Sequence, residues 1–338
     1  MTINDIARIC GVSKGTVNRA LNNKPEINPA TKKNILEVVA EYGFSPDYRA
    51  KSLATGKTQT IGLVLPNIEN QAFATISTLI EREFWQQGYL LNLALSNDDA
   101  SKEERYLQLF MNRKIDGLII FPVNRDLQGL KRIIKAGIPL VVILNSLPVK
   151  ASSVLLDERN SFAAIARYVL SLNHKKILYL DGYRKYTERY NDYINRERYA
   201  GIMLALEEYG VDPASIPVVE FDPQFYDLDN LGPLEQYFTK KGTSAVICFH
   251  DRIAVWLMMR LEHAGFRIPK DISVTGFDDV MELQNIKPGL TTLRNPFSQV
   301  AHEAIQNLLE QIEGKPVKSR IVLNADLIIR ESCYKAQN

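Results

Sequence analysis

The chain has 338 residues, 46% of them hydrophobic and 24% charged, with a net charge of +2. This is globular composition long enough for two or three domains, and it excludes a wholly disordered, collagenous or coiled-coil protein. Charge is uneven: residues 1–60 hold nine Lys/Arg against five Asp/Glu, the remainder 32 against 34, so a small basic head precedes a slightly acidic body and is expected to meet a polyanion.

The head comes first. Ile3, Ile6, Ala7 and Cys10 form an i, i+3, i+4, i+7 stripe, which predicts a short helix ended by Gly11. Val12 and Ser13 read as a hydrophobic staple and N-cap for a second helix over 14–21, with Val17, Ala20 and Leu21 inward. Asn28 and Pro29 open a third, buried through Ile35, Val38, Val39 and Tyr42 and closed by Gly43. Two short helices joined at Gly11, with small Ala7 at their crossing, make a helix-turn-helix, although any three-helix bundle has similar spacing. In such a motif the second helix enters the major groove with its first turn. Lys14 and Gly15 are the exposed first-turn positions, Thr16 and Asn18 flank them, and Arg19 lies a turn on, suited to guanine or phosphate. Residues 45–56 read as a further short helix with Pro46 at its start and Gly56 at its end, too short to be stable alone. Gly56-Lys57-Thr58 imitates the end of a phosphate loop, but position 51 is lysine where that loop needs glycine, so no nucleoside-triphosphate site is expected.

From residue 60, β-rich runs alternate with helical patterns. Strands are predicted at 60–65, 90–94, 117–121, 140–143, 176–180, 217–220, 245–248 and 273–277, and helices at 73–87, 101–113, 160–171 and 198–209. Near-continuous apolar strands separated by helices predict parallel sheets covered on both faces. Their number and a restart near Lys176 predict two doubly wound lobes. The expected organisation is a helical head at 1–44, a hinge and linker at 45–58, and an α/β body at 59–338. Ligands of such sheets sit at the carboxyl ends of the strands. No apolar run approaches the roughly 18 residues of a membrane helix, and no signal peptide is visible, so a cytoplasmic protein with no membrane partner is expected. Cys10, Cys248 and Cys333 are widely spaced, and the four histidines lack metal spacing; reduced thiols, no metal, no cofactor and no catalytic constellation are expected.

Thr2-Ile3-Asn4-Asp5-Ile6-Ala7, Gly11-Val12-Ser13 and Thr16-Val17-x-Arg19-Ala20-Leu21-Asn22 resemble the head of the LacI family of bacterial transcription regulators. The likeness continues through Tyr42-Gly43-Phe44-Ser45-Pro46, Ala50-Lys51-Ser52-Leu53-Ala54-Thr55-Gly56 and Thr60-Ile61-Gly62-Leu63-Val64 to Asp326-Leu327-Ile328-Ile329-Arg330-Glu331-Ser332. The resemblance implies a homodimer on a palindromic DNA operator, a body like periplasmic sugar-binding proteins, and allosteric control by a small effector, a carbohydrate or its derivative. It implies lobe bounds within the body of about 59–157 and 290–318 for the first and about 158–289 and 319–338 for the second. It also implies that residues 45–56 form the hinge helix, with Lys51 at the DNA and Leu53 inserted into the minor groove, where an apolar wedge kinks the duplex. It makes Lys14, Gly15, Thr16, Asn18 and Arg19 the DNA-reading set; Gly15 departs from the family pattern by offering no side chain. Phe73, Arg198 (in Arg-x-x-Gly), His250 (where asparagine is usual) and Asp278 (in Gly-Phe-Asp-Asp) become the effector set. Asp251 and Asp279 are expected as helix caps. The loop 183–196, rich in tyrosine and arginine, reads either as a surface flap or as a pocket for an acidic or phosphorylated sugar. A sugar-binding transport protein and a sugar-converting enzyme are the rival readings.

Overall fold

A computed structural model describes residues 1–21, 27–44, 56–182, 191–240, 242–280 and 285–336. The chain divides into two units, Met1–Thr58 and Gln59–Asn338.

In the first unit, α1 (Ile3–Ile9), α2 (Lys14–Leu21) and α3 (Pro29–Glu41) follow the apolar stripes, except that Tyr42, expected on the buried face of α3, is the exposed residue that ends it. Thr2 and Asp5 form a reciprocal capping box on α1. The Thr16 N–H donates to Ser13 Oγ at 3.1 Å, which caps α2. Asn28 caps α3, with Pro29 at its first position. Ile6, Val17 and Ile35 are fully buried, joined by Ala7 and Ala20, and Val12 packs against them. Residues 45–55, including Lys51 and Leu53, lie outside the described residues.

The second unit contains two parallel sheets. The first runs in the order β11-β5-β4-β3-β1-β2, from β1 (Thr60–Leu65), β2 (Leu90–Leu95), β3 (Gly117–Ile120), β4 (Leu140–Ile143), β5 (Ser152–Leu156) and β11 (Arg320–Leu323). Its covering helices are α4 (Gln71–Gln86), α5 (Ala100–Asn112), α6 (Gln128–Lys135) and, late in the chain, α11 (Phe297–Ile312). The second runs β7-β6-β8-β9, from β6 (Ile177–Asp181), β7 (Val218–Glu220), β8 (Ala245–Cys248) and β9 (Ser273–Thr275). It is covered by α7 (Glu158–Ser171), α8 (Tyr193–Glu208), the short α9 (Glu235–Thr239) and α10 (Asp251–His263). An antiparallel ribbon of β10 (Thr292–Arg294) and β12 (Asp326–Ile328) lies where the chain passes between lobes. The central strands are buried along their whole length, since helices cover both faces.

Two placements differ from the sequence expectation. The expected domain bounds place residues 320–323 in the second lobe, but β11 pairs in parallel with β5 of the first. Its exposed positions are Arg320 and Val322, as on an edge strand, and its partner β5 lies far away in sequence, so no local pattern shows the pairing. The helix expected to begin at Arg198 begins at Tyr193. Its first turns bury polar Asn195 and Arg198, which hides the apolar periodicity.

Candidate effector cleft and DNA-reading surface

On the head, Lys14, Gly15, Asn18 and Arg19 are exposed on α2 and Thr16 is half-buried. The Thr16 hydroxyl lies 2.9 Å from Ser13 Oγ, so this side chain serves the cap as well as the helix surface. A Cβ at Gly15 would meet nothing closer than Ser13 Oγ at 3.6 Å. The fold therefore leaves room for a side chain there, although glycine weakens a helix.

In the body, strand order reverses between β1 and β3 in one sheet and between β6 and β8 in the other. Loops leaving these strands diverge and open a crevice at each switch point. The two crevices face each other across one cleft of about 250 Å³. Pro66, Asn67 and Phe121 line it from the first sheet, and Gly182, Phe249 and His250 from the second. All four expected effector residues line it too, with Phe73 on the first lobe and Arg198, His250 and Asp278 on the second.

Each is positioned by its own local chemistry. Phe73 sits in the first turn of α4, which Asn70 caps, and meets Phe121 edge-to-face at 5.0 Å. Arg198 and Gly201 share one face of α8. A Cβ at Gly201 would lie 2.2 Å from the Arg159 carbonyl oxygen, so only glycine lets α8 approach α7 this closely. That approach brings Arg198 Nε within 2.7 Å of the Glu158 carboxylate at the start of α7. Arg198 Nη1 donates to the Phe249 carbonyl oxygen at 2.5 Å. The guanidinium lies 3.9, 4.1 and 4.9 Å from the ring centres of Phe277, Phe249 and Phe162. Burial raises the Glu158 carboxyl above its usual range, and the adjacent arginine offsets only part of that rise. Sequence reasoning missed Glu158, which looks like an ordinary first-turn acid.

His250, with no charge, caps α10: its Nδ1 accepts the Ile253 N–H at 3.2 Å, which leaves the ring hydrogen on Nε2. Burial, with nearby Arg198, depresses its pKa to about 3. The cap expected at Asp251 is thus supplied by His250. Asp251 instead accepts from Thr292 Oγ1 at 2.5 Å and the Val280 N–H at 3.2 Å, tying α10 to the loop after β9 and to β10. Burial pushes its carboxyl up to about 7. Gly276 makes room for it, since a Cβ there would lie 2.2 Å from Asp251 Oδ1. Asp279 is no cap either; its carboxylate pairs with Arg294 at 2.7 Å and Arg330 at 2.6 Å.

These braces hold Asp278 at φ +117°, a conformation that L residues seldom adopt. Its carboxylate accepts from Asn295 Nδ2 at 2.9 Å. Burial, reinforced by the Asp251 charge, lifts its carboxyl well above the usual range. Asn295, another residue the sequence reading missed, also lines the cleft.

The lobes touch across the cleft mouth. The Asn191 N–H donates to the Val123 carbonyl oxygen at 2.8 Å, and its Nδ2 to the Ser146 carbonyl oxygen at 2.9 Å. Arg125 pairs with Asp192 at 3.1 Å. Of the loop 183–196, residues 183–190 lie outside the described residues, while Tyr193 and Arg196 belong to α8. Among the described residues, no helix is long and apolar enough to cross a membrane.

Comparison with known proteins follows the same two units. Residues 2–47 match the lacI family of bacterial regulatory proteins, and residues 166–333 a periplasmic binding protein-like domain. The chain is 29% identical to the HTH-type transcriptional repressor PurR of Photobacterium profundum over 98% of each sequence. In fold it resembles a lac repressor dimer bound to operator and the anti-inducer ONPF, with TM-score 0.85, 21% identity and 99% of each chain covered. It also resembles a LacI family transcriptional regulator from Enterococcus faecium with bound ribose, with TM-score 0.72 and 24% identity over 82% of this chain and 100% of that one. A helix-turn-helix head followed by a two-lobed, cleft-bearing body, matched in order along one chain, makes this protein a member of the LacI family, the DNA-binding regulators of bacterial transcription.

Proposed function

We propose that the protein is a repressor that binds a palindromic operator as a homodimer and is controlled by a carbohydrate or similar polar effector in the cleft between its lobes. The carrying observation is the convergence of Phe73, Arg198, His250 and Asp278 on that cleft, from both lobes. Their ligation of the effector, and DNA reading by Lys14, Gly15, Thr16, Asn18 and Arg19, with Lys51 and Leu53 in a hinge helix, are part of the proposal. So are the boundaries near residues 44, 58, 157 and 290. Dimerisation is supported by the lac repressor dimer of like fold and by the outer strand β2. There Leu90 and Leu93 are 58% and 43% exposed, near Trp85 at 68%, an apolar edge of the kind a second copy covers. The protein acts as a regulator and not as an enzyme, in the cytoplasm where its DNA lies.

Selection of random duplexes by the full chain tests this reading. A two-fold symmetric consensus, bound with a salt slope of about −0.9 per neutralised phosphate, is the expected result. Recovery of no consensus overturns it.

A further inference from the structure

We propose that Asn295 reads the effector directly and that the cleft takes an uncharged, hydroxyl-rich ligand in preference to its phosphorylated or carboxylated counterpart. This rests on the cleft being the effector site. It names the class of ligand and adds a specificity residue.

The first observation is how the charge is spent. Arg198 is the one lysine or arginine among the described residues lining the cleft. Its charge already faces Glu158 at 2.7 Å, with both side chains at most 6% exposed. One Nη1 hydrogen is taken by Phe249, and three aromatic rings surround the group. His250 is uncharged. Beside this one paired cation stand the half-buried Asp278 and, behind it, the buried Asp251. An anionic ligand entering here loses its hydration and finds no uncommitted positive charge on the described walls.

The second observation is independent of charge. Asn295 is 6% exposed, and its Oδ1 is buried with no hydrogen-bond partner. Its Nδ2 donates to Asp278 Oδ1 at 2.9 Å, so Oδ1 points away from that carboxyl group. A buried acceptor left unmet carries a desolvation cost, which a ligand hydroxyl or N–H recovers. Asn295 Oδ1 thus stands as an open acceptor beside the Asp278 carboxyl group. The two suit neighbouring hydroxyl groups, while the Phe73, Phe221 and Phe249 rings offer apolar faces.

The test uses the full chain in melting-shift and calorimetric titrations with matched probes. Glucose, ribose, cellobiose and adenosine are set against glucose 6-phosphate, ribose 5-phosphate, cellobionate and adenosine monophosphate. The expected result is that at least one uncharged probe binds and that its anionic counterpart binds at least tenfold more weakly. Asn295→Ala then weakens that probe at least tenfold, and Asn295→Ser, which restores an acceptor, recovers part of the loss. Equal or tighter binding of the anions, no binding by any uncharged probe, or an Asn295→Ala variant that binds as the parent does overturns the inference. If Asp278→Ala weakens the bound probe while Asn295→Ala does not, the cleft reading stands and the inference alone fails. If neither variant changes binding, the ligand lies outside the cleft and the effector reading itself fails.

Discussion

Replacing Glu158 by glutamine keeps the size of the side chain and removes its charge. Arg198 is then left buried, its cation facing an amide. At the 2.7 Å contact between buried groups, an effective dielectric near 20 makes the attraction about 6 kcal/mol. Breaking one side of such a pair costs about 3–5 kcal/mol. The rings of Phe162, Phe249 and Phe277 retain part of the cation's stabilisation, each worth roughly 0.5–2 kcal/mol, and all three remain in the variant. The expected loss is therefore about 3 kcal/mol, a fall of roughly 5–10 °C in the melting temperature of a body this size. Urea and thermal unfolding of the full chain measure it. Arg198→Met supplies the control: the double variant should lose less than the sum of the two single losses, because an apolar pair leaves no orphaned charge. A Glu158→Gln protein that melts within a degree or two of the parent, with additive losses, would refute the assignment of Glu158 as the counter-ion. The uncharged-ligand inference would lose its first support with it.

Other expectations follow from single residues. Gly15→Ala raises head stability by about 0.5–1 kcal/mol, since the fold leaves space for the methyl and alanine favours helix. The same change lowers operator affinity several-fold if DNA passes close to that turn; higher stability with unchanged affinity counts against a close approach. Glu103, buried against the Val123 and Asn124 N–H groups, has its pKa raised by burial to about 7 from 4.5. The folded state therefore holds a proton that the unfolded chain has released, and stability falls as pH rises through that window. Glu103→Gln should match the parent near pH 4.5 and exceed it by up to about 3 kcal/mol near pH 8; parallel pH profiles contradict this. Leu53→Ala should weaken operator binding by a few kcal/mol, the scale of one unstacked base step, and leave the melting of the body unchanged. A lowered melting temperature with normal DNA binding makes Leu53 a core residue.

The fold is legible in the sequence wherever burial is one-sided or complete. The head helices announce themselves through the Ile3–Ile6–Ala7 stripe and the Ser13 and Asn28 caps, and β3, β4 and β8 through unbroken apolar runs. Strand β11 is misplaced because its parallel partner β5 lies far away in sequence, and no local pattern encodes that pairing. The start of α8 is hidden because its cleft-facing side buries polar residues. The same logic divides the site. Arg198 and Asp278 stand out through Arg-x-x-Gly and Gly-Phe-Asp-Asp, and the glycines of both motifs prove to be steric requirements at Gly201 and Gly276. Glu158 and Asn295 carry no local signal, since each acquires its role from a partner distant in sequence: Arg198, 40 residues away, and Asp278, 17 residues away.

If the protein is an effector-controlled repressor, occupancy of the cleft changes the head's hold on DNA. The most direct test measures operator affinity with and without a saturating cleft ligand, and ligand affinity with and without operator. Thermodynamic linkage requires the same factor both ways, about 5- to 150-fold for a coupling of 1–3 kcal/mol. That factor is expected in the parent and is expected to vanish in Asp278→Ala, whose ligand-free operator affinity stays at the parent value. Operator affinity that is indifferent to a ligand demonstrably bound in the cleft would contradict effector control.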